Sequence, residues 1–406
     1  MTTSSAAVAA AVATAQRALP SILSSRASPT TSLEEPQLAA RVVWSHLVEP
    51  GDAVAGRLIA ELSPLAALEA IDGHERLSTG EVSAKEFGEG RRRWLPRLSA
   101  ASIGAALEVA GRVHARLVVP GDVEWPEQVD DLGPHAPLAL WVRGEAGTLA
   151  RRRPSVAMVG ARAATSYGEH VAVELAADLA GSGIPIVSGA AYGIDGAAHR
   201  ASLAAGGTTV ALLAGGVDRP YPAGHGELID RIVASGAVAS EVPCGSAPTK
   251  WRFLQRNRII AALADVTVVV EAGWRSGSLN TASHALAIGR TVGAVPGPIT
   301  SAASAGAHRL LREGAVCVTS ADDVRELLGR SGILDLPRGD GDERPPTDDR
   351  SRVRDALSTR VWRDPDDLAR RSGMAATDVE SVLGLLVLAG EVESGYLGWR
   401  RVSSGA

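Results

Sequence analysis

The sequence predicts an α/β fold centred on a doubly wound parallel sheet. A small helical region precedes the sheet, and a module of three helices and a hairpin follows it. Three observations carry this. From Ser155 onward, short apolar runs alternate with helical stretches of about ten to fifteen residues, the rhythm of strands covered on both faces. Glycine-containing loops follow several of the runs, where ligands of such sheets sit. Aromatic residues are 3% of a chain that is 45% hydrophobic, so the core must be built from small and branched side chains.

Taken in order, residues 1–36 are rich in Ser, Thr, Ala and Pro without sustained periodicity and read as a disordered tail. Residues 6–15 lack the basic flank of a signal peptide. Residues 37–116 form a small helical domain, with apolar residues at i, i+3 and i+4 over 54–62 and 65–71 and a further helix over 104–116. The sheet domain spans 117–332. A short strand over 117–119 opens it, and the main strands are expected at 156–159, 186–188, 208–214, 237–240, 266–271, 292–295 and 315–319. Helices are expected at 168–180, 284–289 and 305–313. A charged Pro/Gly linker occupies 333–350. Residues 351–402 give helices at 352–357, 365–371 and 377–389 and a hairpin over 391–401, which is the winged-helix plan.

Composition narrows the function classes. The chain has 406 residues, a soft prior for two or three domains. No apolar run approaches the roughly 18 residues of a membrane span, so no membrane partner is expected. Two cysteines, Cys244 and Cys317, are too few for a disulfide framework or a cysteine zinc site, and a cytoplasmic setting is expected. The net charge of −5 speaks against nucleic acid until it is divided. Residues 1–150 carry 13 basic and 18 acidic residues, 151–330 carry 17 and 14, and 331–406 carry 11 and 14. The sheet domain alone is positive.

The loops carry the chemistry. Gly160-Ala161-Arg162 turns into a helix with an arginine where an anion meets the helix N-terminus. It lacks GxGxxG spacing, and an ordinary turn with a surface arginine fits the same residues. In Ser188-Gly189-Ala190-Ala191-Tyr192-Gly193-Ile194-Asp195, the glycines let backbone N–H groups approach a ligand. Asp195 reads better as a cap or internal anchor than as a catalytic acid. The run from Lys250 to Arg258 is the strongest local signal: four cations, Lys250, Arg252, Arg256 and Arg258, interleaved with Trp251, Phe253 and Asn257. Arginine forks suit phosphate oxygens and aromatics stack on bases. A salt-bridged helix start competes with that reading, but no acid lies between Glu241 and Asp265. Ser276-Gly277-Ser278 forms a small-residue anion nest, and Glu271 before it is either an acid/base group or a loop anchor. No nucleophile with a neighbouring base, no His/Cys cluster and no Walker A sequence occurs, so a binding surface without a cofactor is expected.

Together these loops resemble the DNA-processing protein A family (DprA, also called Smf). Gly160-Ala161-Arg162 is similar to its Gly-Ser-Arg loop, and residues 188–195 to its Ser-Gly-x-Ala-x-Gly-Ile-Asp signature. Tyr221-Pro222, the run from Phe253 to Ile260, the block from Glu271 to Ala282 and Val295-Pro296-Gly297 follow in the family's order. Leu254 stands where the family usually has proline, and Ala161 where it more often has serine. The resemblance implies an extended Rossmann domain behind a helical domain of sterile-alpha-motif type and no enzymatic activity. It implies a protein that binds and protects incoming single-stranded DNA in natural transformation and loads the RecA recombinase onto it, working as a homodimer. The residues carried over for DNA binding are Gly160, Arg162, Ser188, Gly189, Lys250, Phe253, Arg256, Asn257, Arg258, Ser276, Gly277 and Ser278. The dimer contact falls on Ser304, His308, Leu310 and Leu311.

Two rival classes are weaker. A phosphoribohydrolase on a similar scaffold needs Pro-Gly-Gly-x-Gly-Thr where this chain has Gly273-Trp274-Arg275-Ser276-Gly277-Ser278. A duplex-reading winged helix needs cations on its recognition helix, and none lies between Arg371 and Arg400. The run Arg91-Arg92-Arg93 with Arg97 is a secondary DNA-contact candidate, against a solvated helix end near Glu81, Glu86 and Glu89.

Overall fold

A computed structural model describes residues 4–23, 34–73, 76–150, 154–330, 349–372 and 374–402. The sequence opens with a helix, α1 (Ser4–Leu23), where a disordered tail is expected. Val8, Ala11, Ala15, Leu19 and Ile22 recur every three or four positions and are buried, so an alanine-rich stripe with no strong polar contrast is a packed helix face. Residues 24–33 of the expected tail lie outside the described residues. Residues Ala6–Leu23 also form one helix long and apolar enough in composition to cross a membrane, contrary to the expectation that no run approaches that length. Its apolar stripe packs into the chain's own core.

The bundle continues with α2 (Glu35–Leu47), α3 (Ala53–Leu62), α4 (Pro64–Gly73), α5 (Ala84–Trp94) and α6 (Ala100–Arg112). Ser83 and Glu86 form a reciprocal capping box that starts α5. Trp44 and Trp94 meet edge to face at 5.2 Å in its interior.

Among the described residues the sheet has nine strands: β1 (Arg116–Val118), β2 (Leu140–Gly144), β3 (Val156–Val159), β4 (Ile186–Ser188), β5 (Thr209–Leu212), β6 (Ala237–Ser240), β7 (Val266–Val269), β8 (Thr291–Ala294) and β9 (Val316–Cys317). Their spatial order is β1-β2-β6-β5-β4-β3-β7-β8-β9. β3 through β9 run parallel, whereas β1 and β2 form an antiparallel edge that the alternating rhythm did not reveal. Helices α7 (Ser166–Gly181), α8 (Ile194–Ala204), α9 (Gly226–Ser235), α10 (Lys250–Leu263), α11 (Ser278–Ala287), α12 (Ala305–Arg312) and α13 (Ala321–Arg330) cover it. Along β3, Val156 and Met158 pack with α7 and α8, while Ala157 and Val159 pack with α10. Both faces are thus buried. The chain leaves β3 toward β4, β5 and β6, then returns to β7 on the other side, so the strand order reverses between β3 and β7.

Residues 1–335 form one unit, in which bundle and sheet share a continuous core. Residues 336–406 form a second unit. It contains α14 (Asp349–Ala356), α15 (Pro365–Ser372), α16 (Ala376–Leu388) and the hairpin β10 (Val392–Gly395) and β11 (Gly398–Arg401), the winged-helix plan around Val353, Leu368, Val379, Leu383 and Leu386. α14 starts inside the expected linker, and residues 333–348 lie outside the described residues.

Candidate nucleic-acid interface

At the point where strand order reverses, the loops after β3 and β7 and the first turns of α10 enclose a cavity of about 820 Å³. The loop after β3 is held by close backbone packing. A Cβ on Gly160 would sit 2.5 Å from Ile194 Cγ1, and Gly193 adopts a positive φ with its Cα face against the Ala161 carbonyl. Glu271 fixes this loop: its carboxylate accepts from Thr165 N at 2.8 Å and from the Thr165 hydroxyl at 2.7 Å. Of the two roles open to Glu271, the loop anchor is the one observed. Asp195 is likewise internal, accepting from Gly189 N and Ala191 N at 3.2 and 3.4 Å. Burial pushes its carboxyl up, opposed by the nearby Arg256 charge and these N–H groups.

Among the described residues, four cations line the cavity, Arg162, Lys250, Arg256 and Arg275, against one carboxylate, Asp195. The Arg162 guanidinium lies over the Phe253 ring at 4.7 Å, and Arg256 approaches the same ring at 5.9 Å. Tyr221 packs on it at 5.2 Å between centroids. Arg162 and Lys250 are exposed, and neither has an acidic partner among the described residues. Arg256 is buried, donates from Nη1 to the Leu212 carbonyl at 2.7 Å and leaves Nε without a partner. Burial pulls its pKa down to about 10, with Asp195 opposing and Arg162 adding to the fall.

The remaining expected residues divide. Asn257 ties α10 to the nest loop through Gly277 O and Asn280 Oδ1, and Ser276 and Ser278 share a 2.7 Å hydroxyl contact at the cavity wall beside Gly277. Ser188 is fully buried, donates to Met158 O and does not line the cavity. Gly189 supports the site from beneath, since a Cβ there would lie 1.8 Å from Arg256 Nη1.

Arg258 is not at the cavity. It is buried in a bidentate pair with Glu241 at 2.7 and 2.8 Å and also donates to His135 O. Arg252 makes a similar bidentate pair with Glu49 of the bundle. The acids absent from the local sequence arrive from elsewhere in the fold, so the salt-bridged reading holds for these two cations. The helical register carried the signal: residues 256 and 258 are about 200° apart around a helix of 3.6 residues per turn. Arg275 lines the cavity as well and is not among the expected residues; its signal is that it is the one cation in the nest loop.

The expected dimer residues also divide. Ser304 and Leu310 are buried within the chain, Leu310 in the core under β8. Ser304 stands just ahead of α12, whose amphipathic turn puts Leu310 inward with Gly306 and Ala307. His308 is half-buried and donates from Nε2 to the Gly297 carbonyl at 2.9 Å, and Leu311 packs partly against the same core. Among the described residues, no group of three or more His, Cys, Asp or Glu is placed to hold a metal.

Comparison with known proteins shows what the chain as a whole is similar to. Residues 116–329 match the family model described as DNA recombination-mediator protein A, and residues 339–395 match the DprA winged helix domain. A Mycobacterium tuberculosis protein carrying the DprA name is 43% identical over 376 residues, 89% of this chain and 95% of the relative. Protein Smf of Escherichia coli is 37% identical over 70% of this chain and 78% of its own length. The X-ray structure of DNA processing protein A from Streptococcus pneumoniae superimposes with a TM-score of 0.58 and 31% identity, over 71% of this chain and 96% of that one.

Proposed function

The chain belongs to the DNA recombination-mediator protein A (DprA) family, and from that premise we propose that the cavity between the ends of β3 and β7 binds single-stranded DNA. The observation that carries the proposal is the Arg162 guanidinium layered on Phe253 at 4.7 Å, with no acidic partner among the described residues. Its edges suit phosphate oxygens, and its outer face and the neighbouring rings suit an unpaired base. A base held in a duplex presents no free face to such a platform, so single strands are preferred.

The role is binding rather than catalysis. Asp195 and Glu271, the carboxylates nearest the loops, are both committed to backbone and side-chain donors. Within the family role, the bound strand is protected and passed to the RecA recombinase, in the cytoplasm, by a homodimer. A dimer contact then involves surface other than the internal Ser304 and Leu310.

Fluorescence anisotropy with labelled oligothymidylate and a matched duplex, in low and high salt, tests this. Arg162→Ala is expected to weaken single-strand binding and to flatten the slope of log K against log salt by about 0.7, one phosphate contact. Unaltered affinity and slope in that variant, with the fold intact, would remove the assignment.

A further inference from the structure

The first turn of α10 divides two clefts. Lys250 and Phe253 face the cavity described above, whereas Trp251 lines a second cleft of about 640 Å³ against the helical bundle. Its walls include Leu47, Pro50 and Val54 and the side chains of Arg93 and Arg97. Trp251 is 56% exposed, unlike its neighbour Trp94, which is buried and donates its indole N–H to Asp52 at 2.9 Å.

The charge of this cleft is less balanced than its residue count. Glu49 is held by Arg97 at 2.6 Å and by Arg252 at 2.8 Å, so two guanidinium groups share one carboxylate. Asp52 already accepts from Val54 N and Ala55 N as the cap of α3, besides the Trp94 indole. Arg93 reaches it only at 3.2 Å and remains half exposed. Both arginines stand partly open to solvent, where an ion pair contributes little, so a phosphate can take over either one.

Resting on the reading that the first cavity binds single-stranded DNA, we propose that the cleft between Trp251, Arg93 and Arg97 is a second subsite for the same strand. Trp251 stacks on a base, and Arg93 and Arg97 hold the adjoining phosphates. Lys250 and Trp251 are consecutive on the first turn of α10 and about 100° apart around it, so the two clefts adjoin across that turn and a strand leaving the first cavity past Lys250 can continue around it to the indole. Of the arginine cluster that the sequence leaves between a DNA contact and a solvated helix end, Arg93 and Arg97 are thereby given a ligand.

The test is a length series of oligothymidylates, from about 4 to about 30 nucleotides, bound to the full chain. Trp251→Ala is expected to leave the shortest ligands unaffected and to weaken the longest by about fivefold or more, with Trp251→Phe retaining most of the affinity. Arg93→Gln is expected to flatten the salt slope by about 0.7 for long ligands alone. A Trp251→Ala variant that binds every length as the parent does, or that weakens all lengths equally, overturns the second subsite. Arg162→Ala in the same series separates the two readings: it weakens every length if the first cavity is occupied. If it changes none while Trp251→Ala still acts, the first cavity is wrong and the strand enters elsewhere.

Discussion

The guanidinium of Arg256 rests directly on the backbone of Gly189, so that a Cβ at Gly189 would stand 1.8 Å from Nη1. A glycine in the loop after β4 and an arginine on α10, far apart in sequence, are therefore one structural unit. Its consequence is local. In Gly189→Ala the arginine head must move, and moving it breaks its bond to the Leu212 carbonyl. Losing a charged hydrogen bond in a buried setting costs about 1.5–3 kcal/mol. Urea unfolding should show that loss together with weakened single-strand binding; a parent-like midpoint and affinity would contradict the packing.

Arg258 should behave as a structural residue. Its side chain and that of Glu241 are 2% and 9% exposed. Arg258→Ala leaves the carboxylate buried without its partner, at about 3–5 kcal/mol. Replacing both residues with Met should recover much of that stability, because the desolvation of both charges is removed as well. Thermal denaturation of the single and double variants checks it, and equal losses in both would argue against an ion pair.

Acid should destabilise the fold through buried neutral histidines. The Thr209 hydroxyl donates to Ile186 O and so accepts from His199 Nδ1–H at 2.7 Å, which leaves Nε2 unprotonated and without a partner. Burial holds the His199 pKa down at about 3, and that of His46 at about 4. The unfolded chain, with ordinary histidines near 6.5, binds protons that the native state refuses. Stability is therefore complete above about pH 6.5 and is lost as pH falls toward the native values. Between pH 7.5 and 5, His199 alone contributes a fall of roughly 2 kcal/mol. Urea midpoints across that range measure it, and His199→Gln should shrink the fall. A flat profile in the parent chain would refute neutral burial.

The N-terminal helix is open to a direct test as well. Leu19 is 3% exposed on the inner face of α1. If α1 packs as described, Leu19→Ala costs about 2–5 kcal/mol, seen as a lower unfolding midpoint. A disordered tail would give no change.

The strand–turn–helix rhythm, the winged-helix plan and the positions of the phosphate-suited loops were all legible in the residues, because periodicity and turn chemistry act over a few positions at a time. The antiparallel β2 was not, since a five-residue run shows which way it pairs only once β1 and β6 flank it. α1 was overlooked because alanine offers little contrast between its two faces.

At the site, the residues alone say which types gather: arginines, a lysine, small residues and aromatics at the loops of a positively charged sheet domain. Which of those cations remain available is settled by the packing of distant segments. Lys250, Phe253 and Arg256 share the face of α10 toward the cavity, while Arg252 and Arg258 turn to Glu49 and Glu241. A charge is neutralised by whatever acid the fold brings within about 4 Å, and Glu49 comes from 203 residues away.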